Sequence, residues 1–400
     1  MSSDHQAGPR RVFLTGATGF LGSFLLRELL RQTRAVVSCL VRARDEEEGS
    51  RRLEQTLRRH LLWEEGFRGR VVAVSGDLAR PHLGLAPERW RDLAREAEAI
   101  FHAGALVNFV HPYPALKAPN VRGTEEVLRL AAQDRLKPVH HISTLSVFAT
   151  LPRAPRVLIR EDDAPAPPDP TRDSVNGYQQ SKWVAEQLVG IARARGIPVS
   201  VYRPGRVTGD SRSGVCNLDD YATLYVKGCV QLGLIPAIDV GLSLIPVDYC
   251  AAAVARLSAL APAPGRNYHL VNPLAVGLQE VAGWIRDFGY PVEQVPYADW
   301  RAALERSPEN ALHPLLPVIP PPDDARQVAL HEEFPEGRIV EVDSRNTTEA
   351  LAGTGLSCPP PDGRLVHTYL SYLVRINYLD APRGAGVGAA APVTTGPAAA

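Results

Sequence analysis

Through the first half of the chain, short apolar runs alternate with longer segments whose apolar residues recur at helical spacing. Val12, Phe13 and Leu14 open the series and suit a buried parallel strand over 11–15. From Phe20 onward the apolar positions (Phe20, Leu21, Phe24, Leu25, Leu29) fall at helical intervals, which predicts a helix. Further strands are predicted at 35–41, 70–75, 99–102, 138–143 and 199–202. Helices are predicted at 46–62, where Leu53, Leu57 and Leu61 share a face, at 115–134 and at 178–194. This alternation predicts an α/β fold, a doubly wound parallel sheet with helices on its faces.

The pattern breaks twice. Residues 152–172 are rich in proline, aspartate and arginine and read as a surface excursion. After about residue 206 the alternation stops, and short helices are predicted near 218–232, 247–260, 278–288 and 297–305, with strands near 243–246 and 267–271. The proline-dense stretch 313–325 reads as irregular, and 364–378 as a last amphipathic helix. The predicted organisation is a flexible leader over 1–10, an α/β domain over 11–206 and a smaller, mostly helical C-terminal domain over 207–380, some of whose strands join the first sheet. The final segment 381–400, rich in glycine and alanine, lacks the apolar surface to fold and is expected to be disordered.

Candidate chemistry starts between the first strand and the first helix. Gly16, Gly19 and Gly22 stand at the spacing G-x-x-G-x-x-G. Gly16 suits a tight turn, Gly19 a close backbone approach to a ligand, and Gly22 close packing of helix on sheet. The positive end of that helix suits a pyrophosphate. Glycines also make plain structural turns; the strand before and the helix after favour a dinucleotide site. The second strand ends at Val41-Arg42, where an arginine suits a 2′-phosphate and an acidic residue would suit a 2′-hydroxyl. Arg42, with Arg52 on the next helix, favours NADPH over NADH. Asp45 points the other way, but it stands in the run Asp45-Glu46-Glu47-Glu48, which suits a solvated helix N-terminus. Asp77, in Gly76-Asp77-Leu78, reads either as an adenine acceptor or as a cap or turn aspartate. Ala103, Gly104 and Ala105 are small enough to let backbone approach a cofactor, whereas His102 reads as a packed core residue.

Tyr178 and Lys182 form a Y-x-x-x-K pair on one helix face. An ammonium beside a phenol is expected to lower the phenol's pKa, so that it can pass a proton to a carbonyl oxygen. An i,i+4 surface pair is the default alternative. Ser143 and Thr144, at the end of the fifth strand, would set a hydroxyl beside the same pocket.

Composition narrows the class further. Lysine plus arginine and aspartate plus glutamate number 44 each, which gives no reason to expect nucleic acid or an anionic membrane as partner. The five cysteines are scattered, without metal-ligand spacing, and read as free thiols. With no apolar signal region and no run long enough to span a membrane, the chain is expected to be soluble and cytoplasmic.

On these residues the chain resembles an extended short-chain dehydrogenase/reductase with a Rossmann fold. The motifs are T-G-A-T-G-F-L-G (15–22), G-D-L (76–78), H-A-G-A (102–105), S-T (143–144), Y-x-x-x-K (178–182) and Y-R-P-G (202–205). More narrowly it resembles the thioester reductase domains of nonribosomal peptide synthetases, aminoadipate reductases and carboxylic acid reductases. The narrower match rests on C-L-V-R-A (39–43), N-V-R-G-T-E-E-V-L (120–128), V-K-G-C-V-Q-L-G-L-I-P (226–236), I-P-V-D-Y (245–249), Y-H-L-V-N-P (268–273) and the stretch 289–300. The resemblance implies a Thr144–Tyr178–Lys182 catalytic set. It implies that Thr15, Gly16, Thr18, Gly19, Phe20, Leu21 and Gly22 line the cofactor phosphates and that Arg42 and Arg52 hold the 2′-phosphate. It further implies that Asp77 and Leu78 border the adenine, that Ala103, Gly104, Ala105 and Ser143 line the cofactor cleft, and that Pro204 and Gly205 lie near the nicotinamide.

The implied activity is NADPH-dependent release of an acyl or peptidyl group from the phosphopantetheine of a carrier protein, as an aldehyde or onward to an alcohol, with the C-terminal domain binding substrate. The 400 residues contain no adenylation or condensation module and no carrier-type serine motif, so the expectation is either a carrier in trans or a domain excised from a synthetase. Competing readings are a fatty acyl-CoA reductase, an NAD-dependent sugar-nucleotide epimerase or dehydratase, and an NADP-sensing binding module without turnover. Oligomeric state is not read from the sequence.

Overall fold

The computed structural model describes residues 8–148, 150, 156–168, 176–260, 265–321 and 339–382. Seven strands form one parallel sheet: β1 (Arg11–Thr15), β2 (Val36–Val41), β3 (Val71–Ser75), β4 (Ala99–His102), β5 (Val139–Ile142), β6 (Val199–Pro204) and β7 (Asn267–Leu270). Their spatial order is β7-β6-β5-β4-β1-β2-β3. Every residue of β4, β5, β6 and β7 is buried, as expected for parallel strands covered on both faces. The order reverses between β1 and β4, so a crevice opens at the carboxyl ends of these two strands, where open α/β sheets bind ligands. The register places Thr15 beside His102, and His102 beside His141, along that edge.

The helices are α1 (Phe20–Gln32), α2 (Glu46–Arg59), α3 (Pro87–Glu96), α4 (Tyr113–Lys117), α5 (Gly123–Ala132), α6 (Gly177–Ala194), α7 (Tyr221–Leu232), α8 (Val247–Leu260), α9 (Leu278–Asp287), α10 (Tyr297–Glu305), α11 (Arg345–Leu351) and α12 (Gly363–Arg375). Buried Phe24, Leu25, Leu26, Leu29 and Leu30 of α1 face α8 and the sheet. One apolar core runs from these residues through α8 to Trp300 of α10 and Leu370 of α12. It therefore joins the strand edge of the crevice to the C-terminal helices. No described helix is long and apolar enough to cross a membrane.

The alternating pattern of 11–204 appears as predicted, with differences that have local causes. The helix predicted at 115–134 is divided by a wide π-type turn, Ala118–Arg122, that contains Pro119, a residue without an amide hydrogen to continue the ladder. The helix predicted to reach 62 ends at Arg59, just before Leu61 with its φ of 59°. Helices α3 and α11 fall outside the predicted elements. The expected surface excursion at 152–172 is corrected in its described part: Arg156–Ile159 pairs in parallel with Ile339–Val342, and Val157, Ile159 and Glu161 are buried. Its alternating burial is masked in the sequence by the charged residues around it. His313–Val318, expected to be irregular, forms a 3-10 helix. β7 lies far along the chain yet completes the main sheet by pairing with β6. Residues 1–7 of the leader and 383–400 of the tail lie outside the described residues.

Gly22 is the tightest glycine contact in the fold. A Cβ there would lie 2.0 Å from the Gly16 carbonyl oxygen. Gly22→Ala should destabilise by about 1–3 kcal/mol through overpacking. Gly190→Ala, at an exposed position of α6 where a Cβ meets nothing within 4 Å, should stabilise by up to about 1 kcal/mol. Urea unfolding of the two variants measures both signs; equal effects would place the close approach elsewhere.

Candidate active site

The loop after β1 meets the loop after β4 at the crevice. Gly16 has φ +82°, and a Cβ on it would lie 2.6 Å from the Ala103 carbonyl carbon. The Gly19 amide donates to the Gly16 carbonyl (2.8 Å), closing the turn. Gly19 is also the N-cap of α1 and provides no capping side chain, so the first turn of the helix, Phe20, Leu21 and Gly22, presents amides unclaimed by a side chain. Thr18 is half-buried within the loop. This cradle of backbone fits a dinucleotide pyrophosphate, since side chains would fill the space it leaves.

Thr15 and His102 sit beneath the cradle in one hydrogen-bonded chain. The Gly104 amide donates to Thr15 Oγ1 (3.0 Å), and that hydroxyl donates to His102 Nδ1 (2.7 Å). His102 Nε2 then donates to Thr124 Oγ1 (2.9 Å), which donates to the Asn120 carbonyl (2.7 Å). The donors and acceptors assign a neutral Nε2–H imidazole. Burial first, and the Lys182 charge second, push its pKa down to about 3. His102 is thus a packed residue that locks β4 to β1, and the Thr15 hydroxyl is held within the same lock.

At the far end of β2, Arg42 and Arg52 are exposed neighbours, with the Arg52 guanidinium donating to the Arg42 carbonyl. Among the described residues neither guanidinium forms an ion pair with a carboxylate, whereas Arg44 pairs with Glu48 (2.8 Å). Asp45 Oδ1 accepts the Glu48 amide (2.8 Å) as the N-cap of α2. Asp77 closes a turn by accepting the Ala79 amide (2.9 Å). Leu78 packs against Gly104 and Gly123, close enough that a Cβ on Gly104 would meet its Cδ1 at 2.6 Å. Ala103 and Ala105 flank Gly104 and are half-buried.

A capping box holds the start of α6: Asn176 Oδ1 accepts the Gln179 amide (3.0 Å), and Gln179 Oε1 accepts the Asn176 amide (2.9 Å). Within this first turn comes Tyr178, half-buried, its ring edge-on to Phe109 at 5.6 Å. Lys182 is buried one turn later, and its Nζ donates to the Ile142 carbonyl at the end of β5 (2.8 Å). Burial pushes Lys182 down to about 8, against the opposing pull of Glu186. Tyr178 is pushed up to about 12, by burial first and by the Asp220 charge second. The expected lowering of the tyrosine by its lysine is therefore reversed in the protein alone. Desolvation of the phenolate and the Asp220 charge both raise it, while the Lys182 ammonium is engaged by the Ile142 carbonyl.

The two hydroxyls after β5 have different surroundings. Thr144 is half-buried; its Oγ1 lies 3.0 Å from Ser146 Oγ and accepts the Ser146 amide (3.2 Å). Ser143 is buried and donates to Glu186 Oε2 (2.6 Å). Pro204 ends β6 beside Leu270, and the Gly205 amide donates to the Leu270 carbonyl (3.0 Å).

Three buried residues in the site escaped sequence reasoning. Asn120, on the π-type turn, accepts the Leu106 amide (2.7 Å) and donates to the Leu106 carbonyl (3.0 Å) and to Ser181 Oγ (2.9 Å). It thereby fastens the loop after β4 to α6. Glu186 accepts from Ser143 and from Arg203 Nε (3.0 Å), and both members of this ion pair are at most 6% exposed. Arg203 also donates to the Glu161 carbonyl (2.9 Å) and lies over the Phe148 ring (4.8 Å). The signal for Glu186 was present in its spacing: 178, 182 and 186 step along one face of a helix. Breaking a buried ion pair on one side leaves an uncompensated charge. Glu186→Gln and Arg203→Met should each destabilise by about 3–5 kcal/mol. The double variant should fall short of the sum by at least about 1 kcal/mol. A urea-denaturation cycle reads this coupling, and strict additivity would refute it.

Comparison with known proteins agrees with this geometry. A model of an NAD-binding family described as Male sterility protein matches residues 14–254. The chain is 40% identical over 374 residues to a linear gramicidin synthase polypeptide of Brevibacillus parabrevis, covering 92% of this chain and 7% of that protein. It is 35% identical over 395 residues to the L-2-aminoadipate reductase of Schizosaccharomyces pombe, covering 94% of this chain and 27% of that enzyme. The chain thus spans only a small part of the length of these relatives. The solved terminal R domain from the myxalamid PKS-NRPS biosynthetic pathway superposes with a TM-score of 0.82 at 44% identity, covering 94% of this chain and 93% of that one. The reductase (R) domain of a nonribosomal peptide synthetase from Mycobacterium tuberculosis gives 0.78 at 28% identity, with 95% and 97% covered. The chain belongs to the Male sterility protein family and, within it, to the terminal reductase domains of nonribosomal peptide synthetases, an oxidoreductase domain of the extended short-chain dehydrogenase/reductase type.

Proposed function

We propose that this domain uses NADPH to reduce an acyl or peptidyl thioester, carried on the phosphopantetheine of a carrier protein, and releases it as an aldehyde. The observation that carries the reading is the joining of the α6 face that bears Tyr178, Lys182 and Glu186 to the end of β5, through Lys182 to the Ile142 carbonyl and through Glu186 to Ser143. The glycine cradle supports a dinucleotide. The adjoining Arg42 and Arg52, with Asp45 committed to capping α2, support its 2′-phosphorylated form. The names of the relatives support a carrier: several are peptide synthetases or synthases. In this reading residues 11–206 serve the cofactor and 207–380 the substrate.

The residues that would hold the cofactor are the Gly16–Gly22 backbone at the pyrophosphate, Arg42 and Arg52 at the 2′-phosphate, and Tyr178 with Lys182 at the nicotinamide ribose. Once bound, the nicotinamide supplies the hydride. Thr144 and Tyr178 donate hydrogen bonds to the thioester oxygen, where negative charge develops. Tyr178 passes its proton to that oxygen, and the positive charge of Lys182 stabilises the phenolate left behind. Collapse of the hemithioacetal breaks the C–S bond, frees the aldehyde and returns the thiol to the carrier.

Tyr178→Phe should lower kcat by about 10²–10⁴-fold while NADPH still binds, measured by NADPH consumption on butyryl-pantetheine and by cofactor fluorescence. An active Phe variant removes tyrosine from the chemistry. The pH profile has a defined sign. Lys182 titrates at about 8, so its stabilising charge is present below that pH and lost above it. kcat/KM should fall above about pH 8, and Lys182→Arg, which stays charged, should flatten that limb in proportion to its residual activity. An unchanged limb in the Arg variant would assign the titration to another group.

A further inference from the structure

A cavity of about 120 Å³ lies between the start of α1 and the C-terminal helices. Phe20 of the dinucleotide loop forms one wall, and the segment Arg206–Gly209, which continues from Pro204 and Gly205, forms another. Val226 of α7, Val281 of α9 and Leu370 of α12 close it on the remaining sides. Its walls are almost wholly apolar. The two charged side chains on them, Arg206 and Asp220, are of opposite sign, and the Asp220 carboxylate is already used to cap α7 through the Ala222 amide (2.9 Å). Tyr221 also lines the cavity, and its shielded hydroxyl has no hydrogen-bond partner among the described residues. An orphaned buried hydroxyl is costly and marks a place where a bound group completes the bonding.

The volume sets a size. It is far below that of a pocket for a whole drug-sized ligand. It is slightly smaller than an apolar cavity of about 150 Å³, which admits benzene. The space therefore takes a single group of about four to six heavy atoms. Phe20 belongs to the glycine loop and Arg206 directly follows Pro204 and Gly205, so the cavity adjoins the proposed cofactor site.

We propose that this cavity receives the uncharged apolar group next to the thioester carbonyl, an aliphatic or aryl substituent of about four to six heavy atoms, and that the Tyr221 hydroxyl bonds the neighbouring amide of the acyl chain. The inference rests on the reductase reading above. It makes the chain selective for apolar residues at the released end: a carboxylate-bearing substituent would have to shed its water against walls that offer one arginine and one opposing aspartate.

The test is kcat/KM with NADPH over acetyl-, butyryl-, hexanoyl-, decanoyl- and succinyl-pantetheine. From acetyl to hexanoyl the value should rise about fourfold per methylene, then level off at decanoyl, with succinyl falling below butyryl. Val226→Phe, which fills the cavity, should cut the hexanoyl-to-acetyl ratio at least tenfold, and Val281→Ala should move the optimum to longer chains. Cofactor fluorescence and thermal melting confirm that each variant folds. Tyr221→Phe should weaken an N-acetyl-aminoacyl thioester about tenfold relative to hexanoyl. Turnover with a flat chain-length profile, insensitive to both valine variants, overturns the cavity assignment and leaves the reductase standing. Absence of turnover on every thioester overturns both.

Discussion

One buried carboxylate organises the site. Glu186 accepts from Ser143 at the end of β5 and from Arg203 on β6, and its charge favours the ammonium of Lys182 one turn earlier on α6. A dry interior tolerates such charges only when they are paired and their remaining hydrogen bonds are filled. That requirement extends the network. Arg203 also donates to the Glu161 carbonyl, and the Glu161 carboxylate accepts the His269 amide (2.8 Å) and Thr347 Oγ1 (2.9 Å). Strands β5, β6 and β7, helices α6 and α11 and the segment around Glu161 are thus held by a single accounting of buried charge. Replacing any one member by a nonpolar residue orphans its neighbours.

The second constraint is geometric. Where strand order reverses between β4 and β1, two loops pass within contact distance: a Cβ on Gly16 would collide with the Ala103 backbone, and one on Gly22 with the Gly16 carbonyl of its own loop. The chain Gly104–Thr15–His102–Thr124 then fixes the two loops from below. Asn120 carries the same rigidity across to Ser181 on α6, whose hydroxyl donates to the Tyr178 carbonyl (2.8 Å). The cradle and the tyrosine are therefore positioned relative to each other by hydrogen bonds, in a part of the molecule where the cofactor and substrate would have to meet.

Much of this was legible in the chain. Strand β4 falls on its predicted residues because an isolated apolar run between polar segments has few other fates, and Asp45 caps α2 as the acidic run after it suggested. Ser143 and Thr144 could be told apart only in three dimensions, since Ser143 meets a carboxylate 43 residues away. Glu161 was hidden for a related reason. In a stretch dense with proline and charge it reads as solvent-facing, and its partners, His269 and Thr347, lie more than a hundred residues distant. Local pattern reports which face of an element is apolar; it carries no information on which buried polar groups will find one another.

The opposed shifts of Tyr178 and Lys182 bear on the direction of the proposed chemistry. With Tyr178 raised to about 12 and Lys182 lowered to about 8, the neutral-pH protein holds a protonated phenol beside a largely protonated amine. A reductase needs this resting state, because the phenol must have a proton to give when hydride reaches the carbonyl. An enzyme tuned for oxidation would need the phenolate first. A phenol is protonated at neutral pH in any case; burial raises its pKa further and keeps the phenolate scarce until hydride arrives. The lysine charge, maintained by Glu186, matters when that proton leaves, because it stabilises the phenolate at the moment it forms. Desolvation and ion pairing, which oppose each other in the resting protein, act on different states of the same step.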